Sequence, residues 1–428
     1  MRAAWVGAGL LAAPLAYAAV MVALRRAWTS PANAWRSTSP PSPLSRGEGK
    51  LTLNINSLAF NPLEKLETSS PSQPGRGLGG GVYVRELGGE APLFSLLIAA
   101  RNEADTLPQL LHDLQQQSLP AAQFEVIIID DHSTDATAAV VAQAATRFPL
   151  RLLPLAQQPG VPTGKKAALQ AALHVARAPW VVCTDADCRL GPDWLSSYAD
   201  LIRREPAVRF ISGPVLLTGP DTVLQRLMGL EFAGLVGVGG ACIGLDQPTM
   251  CNGANLAYRR DSFAAVQGFA GNEHLASGDD EFLLHKLHAA FPASIRFLQV
   301  PAAIVCTAAP PTLAALLRQR VRWASKWRHY QAPAPQRLAV LVAAANVSLA
   351  VGAGALPWWP ALGPWVGAAW AVKLGADAWF LRPVLAFFGR QRWLRMAPLL
   401  QLTYAPYVVG VGLLGLRGGY QWKDRQVK

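Results

Sequence analysis

The fold class expected of this chain is α/β: a mostly parallel sheet, flanked by N-terminal and C-terminal transmembrane helices. Three observations predict it. Between Pro92 and about Leu298, apolar runs of strand length alternate with helix-length periodic segments, which is the pattern of βαβ units. Long apolar runs stand at both ends of the 428 residues. Hydrophobic residues make up 51% of the chain and charged residues only 15%, against roughly 25% charged in an ordinary soluble domain, so part of the chain avoids water.

The first element is residues 1–26. Ala3 to Leu24 is apolar and uncharged, long enough to cross roughly 30 Å of hydrocarbon. Arg25 and Arg26 follow at once and only Arg2 leads, which reads as a retained anchor with its C-terminal side in the cytoplasm rather than a cleaved leader. Residues 27–91 form a linker, with "STSPPSPLSRGEGK" and "SSPSQPGRGLGGG" between Ser37 and Gly81. Such Pro, Ser and Gly runs without periodicity cannot bury enough apolar surface to order themselves.

Residues 92–310 read as one globular domain. "LFSLLIA" (Leu93 to Ala99) is a strand, and "ADTLPQLLHDLQQQ" a helix with Leu107, Leu110, Leu111 and Leu114 on one face. "FEVIIID" is the second strand, followed by a helix for which Ser133 is a suitable N-cap. "LRLLPL", "GKKAALQAALHVA" and "WVVCTD" continue the alternation. "SGDDEFLLHKL" (Ser277 to Leu287) opens an amphipathic helix behind Asp279 and Asp280. Residues 311–335 contain "RQRVRWASKWR", an interfacial amphipathic segment by its alternation of Arg, Lys and Trp.

Three further spans are expected within residues 336–418: Leu338 to Leu356, Ala361 to Leu381 and Met396 to Leu416. "PWWP" (Pro357 to Pro360) suits an aromatic belt at an external turn, and Arg382, Arg390, Arg392 and Arg395 mark a cytoplasmic loop. The basic tail, residues 419–428 with Lys423, Arg425 and Lys428, then falls outside, against the positive-inside tendency. Either the last run is a re-entrant hairpin or that tendency yields. Lys373 and Asp377 share one face of the second run; they either neutralise each other or line a polar substrate path.

Polar clusters stand where strands end: "ARNE", "DDHSTD" and "TDAD". In parallel sheets ligands bind beyond the carboxyl ends of strands. Asp185 and Asp187 would repel one another there, and a hard divalent cation, Mg2+ or Mn2+, relieves this while sharing ligands with substrate phosphates. Lys165 and Lys166 open a helix whose N-terminus attracts phosphate. This is no P-loop, because Pro159 and Lys166 stand where that motif needs Gly and Ser or Thr; "GVGGAC" (Gly237 to Cys242) likewise fails as a dinucleotide fingerprint. Cys183, Cys188, Cys242, Cys251 and Cys306 are scattered, neither a disulfide framework nor a zinc set, and suit a reducing cytosol. The net charge of +12 raises nucleic-acid binding. The distribution opposes it, since arginines cluster beside apolar spans and carboxylates stud the globular part.

Together these segments resemble the family-2 glycosyltransferases, which have the GT-A fold. The subset is the membrane-anchored kind related to cellulose, chitin and hyaluronan synthases and to bacterial lipid and carotenoid glycosyltransferases. The resemblance implies that Ala100, Arg101 and Glu103 lie near the base and ribose of a nucleotide-sugar donor, with Asp131 and Asp130 facing the uracil or ribose. Lys165 and Lys166 match the basic pair after the third strand. Asp185 matches the position near the sugar nucleotide and Asp187 the metal ligand. "NGAN" matches the acceptor-side turn through Asn252, Gly253 and Asn255. "GDD" stands where the family has Glu-Asp, making Asp280 the base, with Asp279 a shorter acid than usual. Gln319, Arg322 and Trp323 satisfy the Gln-X-X-Arg-Trp pattern on the acceptor or diphosphate side. The implied activity is inverting transfer from an NDP-sugar, UDP-linked by preference, to a lipid or glycan acceptor hydroxyl at the cytosolic face of the inner (plasma) membrane. The alternatives are a processive polysaccharide synthase or an inactive membrane scaffold.

Overall fold

The computed structural model describes residues 2–30, 83–85, 91–157, 163–272, 275, 278–417, 420–422 and 425–427. The low-complexity stretch from Ser37 to Gly81, Ser277, and the tail residues Lys423 and Lys428 lie outside the described residues. In chain order the strands are β1 (Tyr83–Arg85), β2 (Phe94–Ala100), β3 (Phe124–Asp130), β4 (Leu150–Pro154), β5 (Trp180–Cys183), β6 (Phe210–Ser212), β7 (Val215–Thr218), β8 (Leu256–Arg259), β9 (Ile295–Phe297), β10 (Val305–Ala308), β11 (Tyr420–Trp422) and β12 (Arg425–Val427). The helices are α1 (Arg2–Trp28), α2 (Leu107–Gln115), α3 (Thr137–Gln143), α4 (Lys165–Val175), α5 (Trp194–Arg204), α6 (Val223–Gly244), α7 (Arg260–Ala265), α8 (Asp279–Ala290), α9 (Leu313–Ala324), α10 (Pro333–Ala355), α11 (Gly363–Phe387) and α12 (Ala397–Arg417).

Eight strands form the central sheet in the order β1-β4-β3-β2-β5-β8-β6-β9. The run β4-β3-β2-β5 is parallel throughout. Its strands are buried on both faces, Leu96, Ile98, Val126 and Ile128 toward one core and Leu97, Ile127, Ile129 and Val181 toward the other. That is why they read as near-continuous apolar runs rather than alternating ones. The chain steps from β2 outward to β3 and β4, then returns to place β5 on the other side of β2. The strand order therefore reverses between β2 and β5, and a crevice opens there at their carboxyl ends.

β8 was not legible as a strand and departs from the parallel pattern. It runs antiparallel to both β5 and β6, with Leu256 opposite Cys183 and Ser212. Antiparallel pairing brings the amino end of β8, and the Asn252–Asn255 turn before it, to the carboxyl end of β5.

Asn255 does not face that crevice, contrary to the acceptor-side role implied by the resemblance. Its side chain is fully buried, and its Oδ1 accepts from Trp194 Nε1 (2.9 Å) and the Tyr198 hydroxyl (2.7 Å). Its Nδ2 donates to the carbonyls of Pro214 (2.7 Å) and Ala303 (2.9 Å). A carboxamide has two donors and two lone-pair sites to offer, and here it joins α5 to the segments beyond β6 and before β10.

Four helical stretches among the described residues are long and apolar enough to cross a membrane: Ala4–Trp28, Val223–Gly244, Pro333–Ala355 and Gln391–Gly415. Two corrections follow. The second expected C-terminal span, Ala361 to Leu381, forms α11 but is not among the four; Lys373, Asp377 and Arg382 lower its hydropathy. The stretch holding "GVGGAC" is instead part of the long helix α6. Its glycines permit close packing: a Cβ on Gly237 would sit 2.7 Å from Val384, and one on Gly240 2.9 Å from Trp28 and Phe297. The last run is one continuous helix, so the re-entrant hairpin is not formed. Trp358 and Trp359 are exposed in the turn between α10 and α11.

Asn255→Ala strands two buried donors, each worth roughly 1–3 kcal/mol when unpaired. We expect a stability loss of about 3 kcal/mol in denaturant titrations, with nucleotide affinity per folded molecule unchanged. Unaltered stability would contradict the bracing role.

Candidate functional site

The turn after β2 and the turn after β3 are knitted into one surface. Asn102 (φ 53°) and His132 (φ 60°) adopt left-handed backbone, which Asn and His tolerate better than most residues. The Asn102 N–H donates to Ser133 Oγ (3.0 Å), and Asn102 Oδ1 accepts from the Thr134 N–H (2.8 Å). Glu103 and Ala104 donate their N–H groups to Thr137 Oγ1 (2.8 Å) and Asp135 Oδ2 (3.1 Å). Ser133 is therefore not the N-cap of α3. The helix starts at Thr137, whose N–H donates to Asp135 Oδ1 (3.0 Å). Arg101 Nη1 reaches the Asp131 carbonyl (3.0 Å), and Asp131 Oδ2 accepts from the Gly164 N–H (3.1 Å). The turn before α4 thus joins the same surface.

Beyond β5 the chain bends through Asp185, Ala186 and Asp187. Arg189 then clamps Asp113 of α2 with Nε and Nη2 at 2.6 and 2.8 Å, and the Leu190 N–H donates to Asp113 Oδ2 (3.0 Å). This bidentate pair fixes the exit of the Asp-X-Asp turn.

The sequence left Asp185 without a neutralising neighbour; Lys165 supplies one. Lys165 Nζ lies 2.6 Å from Asp185 Oδ1 and 3.7 Å from Asp279 Oδ2. Burial alone would pull this ammonium down, but Asp185, Asp279 and Asp280 hold it well above the ordinary lysine value. Gly253 lies directly over the group. A Cβ there would fall 3.1 Å from Lys165 Nζ and 3.4 Å from Asp280 Oδ2, so the turn approaches this closely because it has no side chain at that position.

Asp279 and Asp280 are the first two residues of α8, after Gly278 at φ 85°. Burial pushes the Asp279 carboxyl up; Lys165 opposes this, and Asp280 and Asp185 add to the rise. Asp280 goes the other way. Burial opposes its ionisation, but Lys326, Lys165 and the N–H groups of Glu281 and Gly253 (2.8 Å each) hold it below the usual carboxylate range. Glu281 pairs with buried Lys326 at 2.7 Å and accepts from the Tyr330 hydroxyl.

These groups surround one cavity of about 540 Å³. It brings together Ala100, Arg101, Glu103, Asp131, Lys165, Asp185, Asp187, Asn252, Gly253, Asp279, Asp280, Gln319, Arg322 and Trp323, segments spread over more than two hundred residues of sequence. Three expected residues stay out. Asp130 turns under the surface and accepts from the Ser133 N–H (2.9 Å). Lys166 donates to the Asn272 carbonyl (2.6 Å), with Phe282 beside it; adjacent residues on a helix do not share a face, so the basic pair divides. Asn255 is the core bracket described above. Sequence reasoning missed Glu281, Lys326 and Tyr330. Glu281 directly follows the "GDD" acids, and Lys326 follows the Gln-X-X-Arg-Trp segment by three positions, but nothing in the sequence pairs them.

Among the described residues, no three His, Cys, Asp or Glu side chains are grouped to hold a metal ion unaided. The cavity lining carries seven carboxylates against four cationic side chains, a formal −3. Such a lining suits cations better than bare anions.

The family described as "Glycosyltransferase like family 2" matches residues 91–325, more than half of the chain. The chain belongs to glycosyltransferase family 2. This glycosyltransferase is 33% identical over 123 residues to a beta-monoglucosyldiacylglycerol synthase of Nostoc sp., covering 29% of this chain and 26% of that protein. It is 25% identical over 235 residues to a poly-beta-1,6-N-acetyl-D-glucosamine synthase of Staphylococcus epidermidis, covering 54% of this chain and 53% of that protein. The aligned part thus spans about a quarter to a half of the length of these curated relatives. Among solved structures, a mannosyltransferase from Pyrobaculum calidifontis in complex with GDP-Man and Mn2+ is similar at 22% identity and a TM-score of 0.41, over 73% of this chain and 87% of that one. The mixed, mostly parallel sheet is the GT-A fold that the resemblance implied.

The split of the lysine pair is testable. Lys165→Met makes the cavity more negative, and UDP affinity in the presence of Mn2+ should fall roughly tenfold, about 1.4 kcal/mol. Lys166→Met should lower thermal stability and leave that affinity within about twofold. Equal effects of both on calorimetric UDP titration would contradict the assignment.

Proposed function

We propose that this glycosyltransferase is a membrane-bound inverting enzyme that moves a sugar from a nucleoside-diphosphate sugar, UDP-linked by preference, to a lipid or glycan hydroxyl at the cytosolic face of the membrane. The observation that carries the reading is the position of Asp280. Its carboxylate is kept ionised at the N-terminus of α8, in the same cavity as Asp187, Lys165 and the Gln319–Arg322–Trp323 set.

In this reading Asp280 takes the proton from the acceptor hydroxyl. The oxygen forms its bond to the anomeric carbon as the bond from that carbon to the diphosphate oxygen breaks, and the electron pair leaves with the nucleoside diphosphate. Attack and departure on opposite faces invert the anomeric centre, and no covalent enzyme intermediate is needed. Arg101, Glu103 and Asp131 bind the nucleoside, and Lys165 keeps Asp185 and Asp279 from repelling the donor. Arg322 faces the diphosphate, and Trp323 offers a ring for the acceptor sugar or headgroup.

The acidic lining fits a divalent cation, Mg2+ or Mn2+, held by Asp187 together with the donor's own phosphates. Such an ion supplies charge compensation to the leaving diphosphate. Four apolar helices support a membrane setting, and the arginines in the last turn of α1 and between α11 and α12 support a cytoplasmic catalytic side. One similar protein is named as a synthase of a glucosyl lipid and another as a synthase of a polysaccharide. Gln319, Arg322 and Trp323 would serve either product.

Two substitutions test the roles. Asp187→Ala should abolish divalent-dependent release of nucleotide from donor while the fold persists; full activity would overturn the metal assignment. Asp280→Asn should keep donor binding and lower transfer by roughly 10²–10⁴-fold. Donor affinity and product formation falling together would mark Asp280 as a structural cap instead.

A further inference from the structure

A second cavity of about 300 Å³ lies among α1, α6, α10, α11 and α12, near the lower end of the roughly 300–1,000 Å³ range of ligand sites. It shares Leu235, Met250, Glu281 and Tyr330 with the catalytic cavity, so the two adjoin. Its walls are largely aliphatic, including Met21, Leu230, Val238, Leu338, Val342 and Leu400. Its charged groups all have partners of opposite sign. Lys373 pairs with Asp377 (2.8 Å), which also accepts from the Tyr17 hydroxyl (2.7 Å). Glu231 pairs with Arg320 (2.5 Å) and Glu281 with Lys326 (2.7 Å).

Among the described residues, two uncharged side chains of the lining, Thr249 and Gln401, carry a buried polar atom without a hydrogen-bond partner, and Gln401 is the one set on the spans. Its side chain lines the cavity and is 5% exposed. Its Oε1 accepts from Lys373 Nζ at 3.2 Å, and since an ammonium has no lone pair to offer, that contact fixes the orientation of the amide. Its Nε2 is buried with no hydrogen-bond partner, a costly state that a ligand oxygen would relieve.

Resting on the functional reading above, we propose that this cavity binds the hydrocarbon chain of an uncharged ester lipid, with Gln401 Nε2 donating to an ester carbonyl and the lipid's free hydroxyl directed past Glu281 and Tyr330 toward Asp280. Tyr17, Tyr330, Phe380 and Tyr404 add rings to the lining, but its charged groups already pair with one another, and a largely apolar wall favours a hydrocarbon chain over a glycan, which needs many free polar partners. The internally neutralised charges favour an uncharged lipid over a lipid phosphate.

The test uses the full chain in phosphatidylcholine nanodiscs and a diacylglycerol with a photoreactive diazirine in one acyl chain. The expected result is cross-linking at Leu338, Val342 or Leu400, cut roughly fivefold by Ala339→Trp, which fills the cavity. Val340→Trp, at a position 60% exposed, should leave labelling unchanged. Gln401→Leu should weaken displacement of the label by unlabelled diacylglycerol severalfold. Labelling confined to outward-facing residues, or equal in Ala339→Trp and wild type, would overturn the proposal. Displacement by an isoprenoid phosphate or an oligosaccharide but not by diacylglycerol would do the same. UDP-sugar binding measured on the same nanodiscs separates the two readings: donor binding without the label pattern sinks the lipid site alone, and the label pattern without donor binding sinks the transferase reading alone.

Discussion

The cavity depends on holding carboxylates from separate elements around two shared lysines. Asp185 and Asp279 share Lys165; Asp280 and Glu281 lean on Lys326. In a buried setting, unpaired carboxylates would take up protons or push the elements apart. The two lysines let the acids approach while the cavity lining keeps a net negative balance. On the proposed reading, that balance would make a diphosphate a poor guest alone and an acceptable one together with a divalent cation.

The sheet meets this constraint by direction. Parallel strands deliver Arg101, Asp131 and Asp185 from their carboxyl ends. Antiparallel β8 delivers Gly253 from its amino end, and α8 delivers Asp279 and Asp280 from its first turn. α9 closes the opposite side and is tied to α6 by the buried Arg320–Glu231 pair. The same α6 packs its glycines on α11 and on Trp28. The long apolar helices and the catalytic cavity thus share one wall, and the second cavity lies on that shared side.

Much of this was legible in the sequence. The buried strands announced themselves by near-continuous apolar runs, and β3 begins and ends where "FEVIIID" does. The strand-end acids were legible because polar clusters interrupt apolar runs. What stayed hidden depended on long-range pairing. Lys165 and Lys166 look alike as neighbours, and only the helix phase sends one to the cavity and the other to the Asn272 carbonyl. Asn255 sits two residues from Gly253 yet faces the core, because its turn satisfies four distant partners. α6 drew no reading beyond the failure of its "GVGGAC" as a dinucleotide fingerprint, because what its glycines serve is close packing on distant helices. Lys326 and Glu281 lie 45 positions apart, and no local pattern connects them.

We propose that the acidic cavity takes a cation and a diphosphate jointly, neither being well held alone. Calorimetric titration of the full chain with Mn2+ and with UDP, separately and together, measures this coupling directly. Binding free energies are reciprocal, so each ligand should raise the affinity of the other by the same factor, roughly tenfold or more. Tight Mn2+ binding without UDP, or UDP affinity indifferent to Mn2+, would contradict it.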